Sequence, residues 1–103
     1  MRKKYNLKIK PNVKIQLDNH VRFATNVSLK FATSIRDNFY KVLKEQLPYD
    51  SDRHPLWLPD FELPKPYHKI LIKKRYMLLF YINNDTVFLD YFLDCRMDNS
   101  KLF

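Results

Sequence analysis

Residues 68–98, HKILIKKRYMLLFYINNDTVFLDYFLDCRMD, decide the fold. Residues 69–73 are rich in Ile and Leu, residues 76–82 are almost wholly apolar or aromatic, and residues 86–93 alternate imperfectly. Short apolar runs of this kind, bounded by polar turns, predict three consecutive strands. The chain has no glycine, so its tight turns must draw positive φ from other residues. Asn and Asp tolerate that conformation best, which makes Asn83-Asn84-Asp85 a hairpin turn between the second and third strands. The other connection holds three cations, Lys73-Lys74-Arg75, and Arg96 follows the last strand.

Upstream, Tyr5, Leu7 and Ile9 alternate with polar residues over positions 4–10, the pattern of a half-buried strand. Pro11 ends it, and Asn12 is placed to cap a helix whose apolar face is Val13, Leu17, Val21 and Ala24, ending near Asn26. Ser28 is the expected N-cap of a second helix with Phe31, Ala32, Ile35, Phe39, Val42, Leu43 and Leu47 on one face; Pro48 stops it. The short connection predicts an antiparallel helical hairpin. Residues 49–66 hold Pro55, Pro59, Pro64 and Pro66 with Asp50, Asp52, Asp60 and Glu62, which argues against helix and strand alike. Leu56, Trp57, Leu58, Phe61 and Leu63 are nevertheless too apolar for a free linker. The expectation is an ordered loop that packs its aromatics over an end of the core, with a peptide-recruiting patch around Trp57 as the sharper reading. Strand, helix, helix, loop and three strands make an α+β two-layer sandwich: the N-terminal strand joins a mainly antiparallel four-stranded sheet, and the helical hairpin covers one face. At 103 residues the chain reads as one domain, 1–103.

The single cysteine, Cys95, has no partner for an internal disulfide, which suits a reducing compartment. No apolar run is long enough to span a membrane, and the basic start MRKKYNLKIK leads into no hydrophobic signal region, so a cytoplasmic protein with no membrane partner is expected. Formal net charge is +8 and the isoelectric point about 9.6, a field that favours polyanions. The plain alternative is a solvated basic surface.

His20, His54 and His68 show no metal-ligand spacing, and without glycine there is no phosphate-cradling loop. No metal and no cofactor are implied. Asp90, a carboxylate in an apolar strand, either has a raised pKa or, the favoured reading, faces solvent or pairs with a strand cation. Asp94 and Asp98 flank Arg96 and either orient its guanidinium or neutralise it. Strand alternation puts Lys69, Leu71 and Lys73 on one face and His68 on the other. With Lys65, Lys74 and Arg75 nearby, and Tyr67 and Tyr76 to stack on bases, this forms a groove suited to RNA phosphates. The competing reading is a charged edge that prevents sheet-to-sheet aggregation.

The basic strand start His68-Lys69, the Arg75-Tyr76 strand opening, the aliphatic run into Phe80, the polar hairpin and the tail Asp94-Cys95-Arg96-Met97-Asp98 together carry a family likeness. So do the strand before Pro11, the helical hairpin with Ala32 inside it and the proline-bearing loop after Pro48. In these features the chain resembles the RelE/ParE superfamily of toxins from bacterial type II toxin–antitoxin systems. The resemblance implies a small basic cytoplasmic toxin held silent by an acidic antitoxin protein. RelE-like members cleave ribosome-bound mRNA without a metal; ParE-like members poison DNA gyrase. Carried over by position, Lys69 and Arg96 take catalytic roles, with His68 or a lysine handling protons, while Lys73, Lys74 and Arg75 contact RNA phosphate. Two positions depart from the pattern. Met77 stands where the family has an arginine after the tyrosine, and Asn99 and Phe103 stand where an acid–base tyrosine often sits. The expected function is a toxin acting as a metal-independent endoribonuclease on ribosome-bound mRNA. The alternatives are a gyrase inhibitor and a catalytically degenerate toxin that only binds its antitoxin.

Overall fold

A computed structural model describes residues 4–103; Met1, Arg2 and Lys3 of the basic start lie outside the described residues. The elements run β1 (Asn6–Ile9), α1 (Pro11–Thr25), α2 (Leu29–Glu45), a short α3 (Leu47–Asp50), β2 (His68–Ile72), β3 (Tyr76–Asn83) and β4 (Thr86–Asp94). Single 3₁₀ turns cover Ser51–Arg53 and Ser100–Leu102. The four strands form one mixed sheet in the order β1-β4-β3-β2. β2, β3 and β4 are the antiparallel meander, and β1 pairs parallel with β4, from Asn6 opposite Thr86 to Ile9 opposite Leu89.

Local sequence explains most boundaries. Pro11 is the first residue of α1, where its missing N–H costs nothing and its fixed φ is already helical. Asn12 therefore lies inside the helix rather than capping it, and its amide donates instead to the Asp90 carbonyl at 2.8 Å. Ser28 is the N-cap of α2, accepting from the Phe31 N–H at 3.2 Å. The second helix ends at Glu45, before Pro48, and Pro48 then sits at the start of α3, where proline is again tolerated. Residues 47–53 are thus helical, a correction to the reading of the whole 49–66 segment as irregular. Helical turns need only that proline fall in the first turn.

The core between helices and sheet holds Val13, Leu17, Val21 and Ala24 from α1 and Ala32, Ile35, Phe39, Val42 and Leu43 from α2, with Leu47. The sheet contributes Ile70, Ile72, Tyr76, Leu78, Phe80, Val87, Leu89 and Phe92. A second cluster lies on the opposite sheet face: Tyr67, Met77, Leu79 and Leu93 are buried, with Trp57, Leu63, Tyr81, Tyr91 and Phe103 packed against them. The proline-rich loop therefore covers part of the sheet face that the helices leave open, not an end of the main core. It is tied to the free edge of β2. Leu56 bridges to His68, the Lys69 N–H donates to the Pro55 carbonyl at 2.9 Å, and the Trp57 N–H donates to the Tyr67 carbonyl at 2.8 Å. Those bonds occupy backbone groups that an edge strand would otherwise expose.

A bulge explains the imperfect alternation of β4. Leu79 pairs with Tyr91 and Phe80 with Leu89, leaving Asp90 as the extra residue. Val87 and Leu89 face the helices before it, and Phe92 does so after it, while Leu93 joins the opposite cluster. Asp90 does not face solvent. It is 1 % exposed, accepts from the Tyr67 hydroxyl at 2.6 Å, and has the Lys10 ammonium 3.5 Å from the same oxygen. Pairing with a cation holds, and the partner lies just after β1.

Candidate functional site

On the open sheet face, between the loop and the C-terminal tail, lies a cleft of about 450 Å³. Met77 and Leu71 are strand residues of its wall, and Trp57 and Phe61 come from the loop. Lys69 on β2 and Lys74 in the β2–β3 turn bring ammonium groups to it. Cys95, Asp98 and Asn99 line it from the tail, and Asp60 from the loop. Trp57 meets Phe61 edge-on, with ring centroids 5.7 Å apart, and both rings meet Phe103 at 5.7 and 5.8 Å. Phe103 thus braces the aromatic wall.

The β2–β3 turn decides where the lysines go. Lys73 and Lys74 both have positive φ, 56° and 59°, and the Arg75 N–H closes the turn on the Ile72 carbonyl at 3.3 Å. Two successive left-handed residues swing the side chains apart. Lys74 lines the cleft, whereas Lys73 lines a separate hollow with Ser28, Lys30, Phe31 and Ser34 against α2. The expected alignment of Lys69 and Lys73 on one face is therefore replaced by Lys69 with Lys74, because the turn begins at Lys73 and ends strand alternation there.

His68 lies on the helix-side face, opposite Lys69, as alternation predicts. Its ring stacks on Phe80 at 5.4 Å, and its Nδ1 is 2.7 Å from the His54 carbonyl, so Nδ1 carries the proton. This imidazole anchors the loop and does not share the cleft with Lys69. Arg75 and Arg96 line another cavity, of about 460 Å³, with Asn19, His20, Phe23, Tyr76, Asp94 and Met97. Asp94 holds both guanidiniums: its Oδ2 is 3.5 Å from Arg75 Nε and 3.4 Å from Arg96 Nη2, and its Oδ1 accepts from the Arg96 backbone N–H at 2.9 Å. Burial works to raise the Asp94 carboxyl, but the Arg96 N–H and the two guanidiniums outweigh it and hold it below the ordinary value. Of the two carboxylates flanking Arg96, Asp94 orients it; Asp98 accepts from the Ser100 N–H at 3.0 Å. Met97 alone lines both cavities. The structure therefore divides the sequence-predicted residues into three places: Lys69 and Lys74 in the cleft, Arg75 and Arg96 in the second cavity, and His68 and Lys73 in neither.

Chemically, the cleft offers cations, acceptors and rings but few proton carriers. Burial pushes the Cys95 thiol above its ordinary value and Asp94 adds to this, while the Lys69 ammonium draws it part of the way back. A protonated thiol is a poor nucleophile. Burial and the bond to Asp90 raise Tyr67 far above the ordinary tyrosine value, which holds it as a neutral donor. Trp57, Phe61, Asp60 and Lys74 entered the cleft through loop and turn geometry. The concentration of aromatic and acidic residues in 49–66 was the only local signal for the first three. No protein-family model matches the chain, and no curated protein matches it.

Proposed function

We propose that the cleft binds single-stranded RNA, and that the chain is a toxin of the RelE/ParE kind acting on ribosome-bound mRNA. One observation carries the reading. The sheet face left open by the helices places two aromatic rings, Trp57 and Phe61, beside two ammonium groups, Lys69 and Lys74, around a 450 Å³ space. Rings that stack bases, next to cations that meet phosphates, are what single-strand recognition requires. Asp60 and Asp98 balance the two lysines within the cleft, so long-range attraction comes from the net charge of +8. The carboxylates accept hydrogen bonds, and base amino groups are their natural donors. In a cleavage reaction Lys69 is the group placed to neutralise phosphate charge. His68 has no part in it, since its ring is committed to the other face of β2.

A second reading, a toxin that binds its acidic antitoxin without cleaving RNA, is favoured by Met77 and Phe103. The first is an apolar wall residue and the second an aromatic brace, where the family places a guanidinium and a proton donor. Inducible expression in a bacterial host, with labelled methionine and thymidine incorporation followed from the first minutes, separates these readings. Early loss of protein synthesis, abolished by Lys69→Ala with Lys74→Ala, is the expected result. DNA synthesis failing first points to gyrase instead, and no effect from a folded protein leaves the binding-only reading.

A further inference from the structure

The cavity around Arg75 and Arg96 has no part in the proposed RNA cleft, and its contents are unusual for a structural ion pair. Two guanidiniums share one carboxylate, Asp94, so one positive charge is left over. Asp94 is 6 % exposed and its two oxygens are taken by Arg75 and Arg96. Arg75 Nε lies 3.5 Å from Asp94 Oδ2 without a hydrogen bond, whereas Arg96 donates to Asp94 through Nε and Nη2. Among the described residues, the Arg75 Nη groups and Arg96 Nη1 have no hydrogen-bond partner. Unengaged donors on two neighbouring guanidiniums are a fork for a phosphate or carboxylate.

The rest of the lining is apolar and planar. Tyr76 is buried, with His20 at 5.0 Å and the Arg75 guanidinium 5.3 Å from its ring centre. Phe23 on α1 and Met97 in the tail are 66 % and 62 % exposed, large apolar side chains that nothing in the described chain covers. Burial lowers the His20 imidazole, against opposing effects of Asp94 and of its bond to the Phe92 backbone. A neutral imidazole is one more polar face rather than another charge. At about 460 Å³ the cavity falls in the usual range for small-molecule sites, roughly 300–1,000 Å³, and greatly exceeds a bare inorganic anion.

We infer that this cavity is a second site, for a phosphomonoester on a nucleoside: Arg75 and Arg96 take the phosphate, and Phe23 with Met97 covers the base. The phosphate meets the free guanidinium donors on the side away from Asp94. The base gains from contact with a ring already exposed at the rim. A free mononucleotide and the 5′-phosphate end of an RNA chain present this same chemistry.

Calorimetric titration of the full chain tests the site. AMP is the first probe, with inorganic phosphate and a 5′-phosphorylated trinucleotide run beside it. The expected result is saturable AMP binding, tighter than inorganic phosphate, weakened about tenfold by Arg96→Gln and by Phe23→Ala, a loss equal to one strong contact. Both residues are exposed, and a cooperative urea transition verifies that each variant is folded. Lys69→Ala, in the other cleft, leaves AMP binding as it was. Trinucleotide binding tighter than AMP, weakened by Arg96→Gln and not by Lys69→Ala, identifies an RNA end as the source, and tighter AMP binding identifies a free nucleotide; either upholds the site. No binding of AMP or trinucleotide, equal affinity for inorganic phosphate, or a larger loss from Lys69→Ala than from Arg96→Gln overturns it. None of these outcomes depends on toxicity.

Discussion

Two lysines at positive φ are the least comfortable residues in this backbone. A non-glycine residue in the left-handed region crowds its Cβ against the backbone, at about 1 kcal/mol each. Asn84, at φ 59°, takes the same conformation with a side chain suited to it. Lys73→Gly should therefore raise the free energy of unfolding by about 0.5–1 kcal/mol, read from urea denaturation. A destabilised Lys73→Gly protein would mean that the Lys73 side chain contributes packing against α2 that outweighs the strain. The buried Asp90 carries the opposite sensitivity. Its Oδ2 depends on Tyr67 and Lys10, and its Oδ1 has no partner among the described residues. Tyr67→Phe removes the short donor and leaves the carboxylate buried, for an expected loss of about 1.5–3 kcal/mol. A loss below a few tenths would show that Tyr67 is dispensable there.

At the scale of elements, the loop from His54 to Pro66 is the piece that turns a sheet face into a cleft. Its attachment passes through His54, whose carbonyl accepts from His68 and whose ring meets Phe80 edge-on at 6.0 Å. Burial lowers the His54 imidazole; Asp50 opposes this and the neighbouring His68 reinforces it. With the folded value below the ordinary 6.5, the unfolded chain takes up the proton first. The contribution of neutral His54 is complete above 6.5 and is lost as pH falls through the folded value. His20 is lowered too and works in the same direction. Urea midpoints should therefore fall on acidification below 6.5, and His54→Gln should flatten that fall; an unaltered slope would sink this assignment. Asp94 adds a separate loss at stronger acid. Its folded value is depressed, so its contribution is complete above 3.8 and disappears as pH drops through the folded value. Ser28 is a simpler case: Ser28→Ala leaves the Phe31 N–H uncapped and should cost about 1 kcal/mol.

For the whole molecule, the question is how a net charge of +8 is displayed. The cations that the sequence singles out, Lys69, Lys73, Lys74, Arg75 and Arg96, do not line one shared cavity. Lys69 and Lys74 face the cleft, Lys73 and Lys30 share a hollow near the start of α2, and Arg75 and Arg96 gather around Asp94. RNA held by the cleft alone should therefore lose only a few counterions. Fluorescence anisotropy with single-stranded RNA at several salt concentrations measures this. Each lysine–phosphate contact is worth about 0.7 in the slope of log affinity against log salt, so Lys69→Ala with Lys74→Ala should reduce it by about 1.4. An unchanged slope would place the RNA elsewhere. No helix of the described residues is long and apolar enough to cross a membrane.

Sequence alone determined the elements whose signals are local. Period-two and period-3.6 patterns placed all four strands and both long helices, Ser28 announced its cap, and Asn84 its turn. Alternation also determined that Lys69 and His68 part company across β2. What depended on contacts between distant residues was not legible. The bulge at Asp90 shows in the sequence only as a broken alternation, because its meaning lies in the register with Leu79 and Phe80. The side of the sheet taken by Trp57 and Phe61 follows from backbone bonds between the loop and the β2 edge. The separation of Lys73 from Lys74 follows from a turn whose left-handed residues no lysine propensity would suggest. Only the packing of α1 against the strand ends brought Phe23 and His20 beside Arg75 and Arg96. For the bulge, the loop and the packing of α1 the physical reason is the same. Local propensity acts over a few residues, whereas a site is assembled by hydrogen bonds and buried surface between segments far apart in the chain.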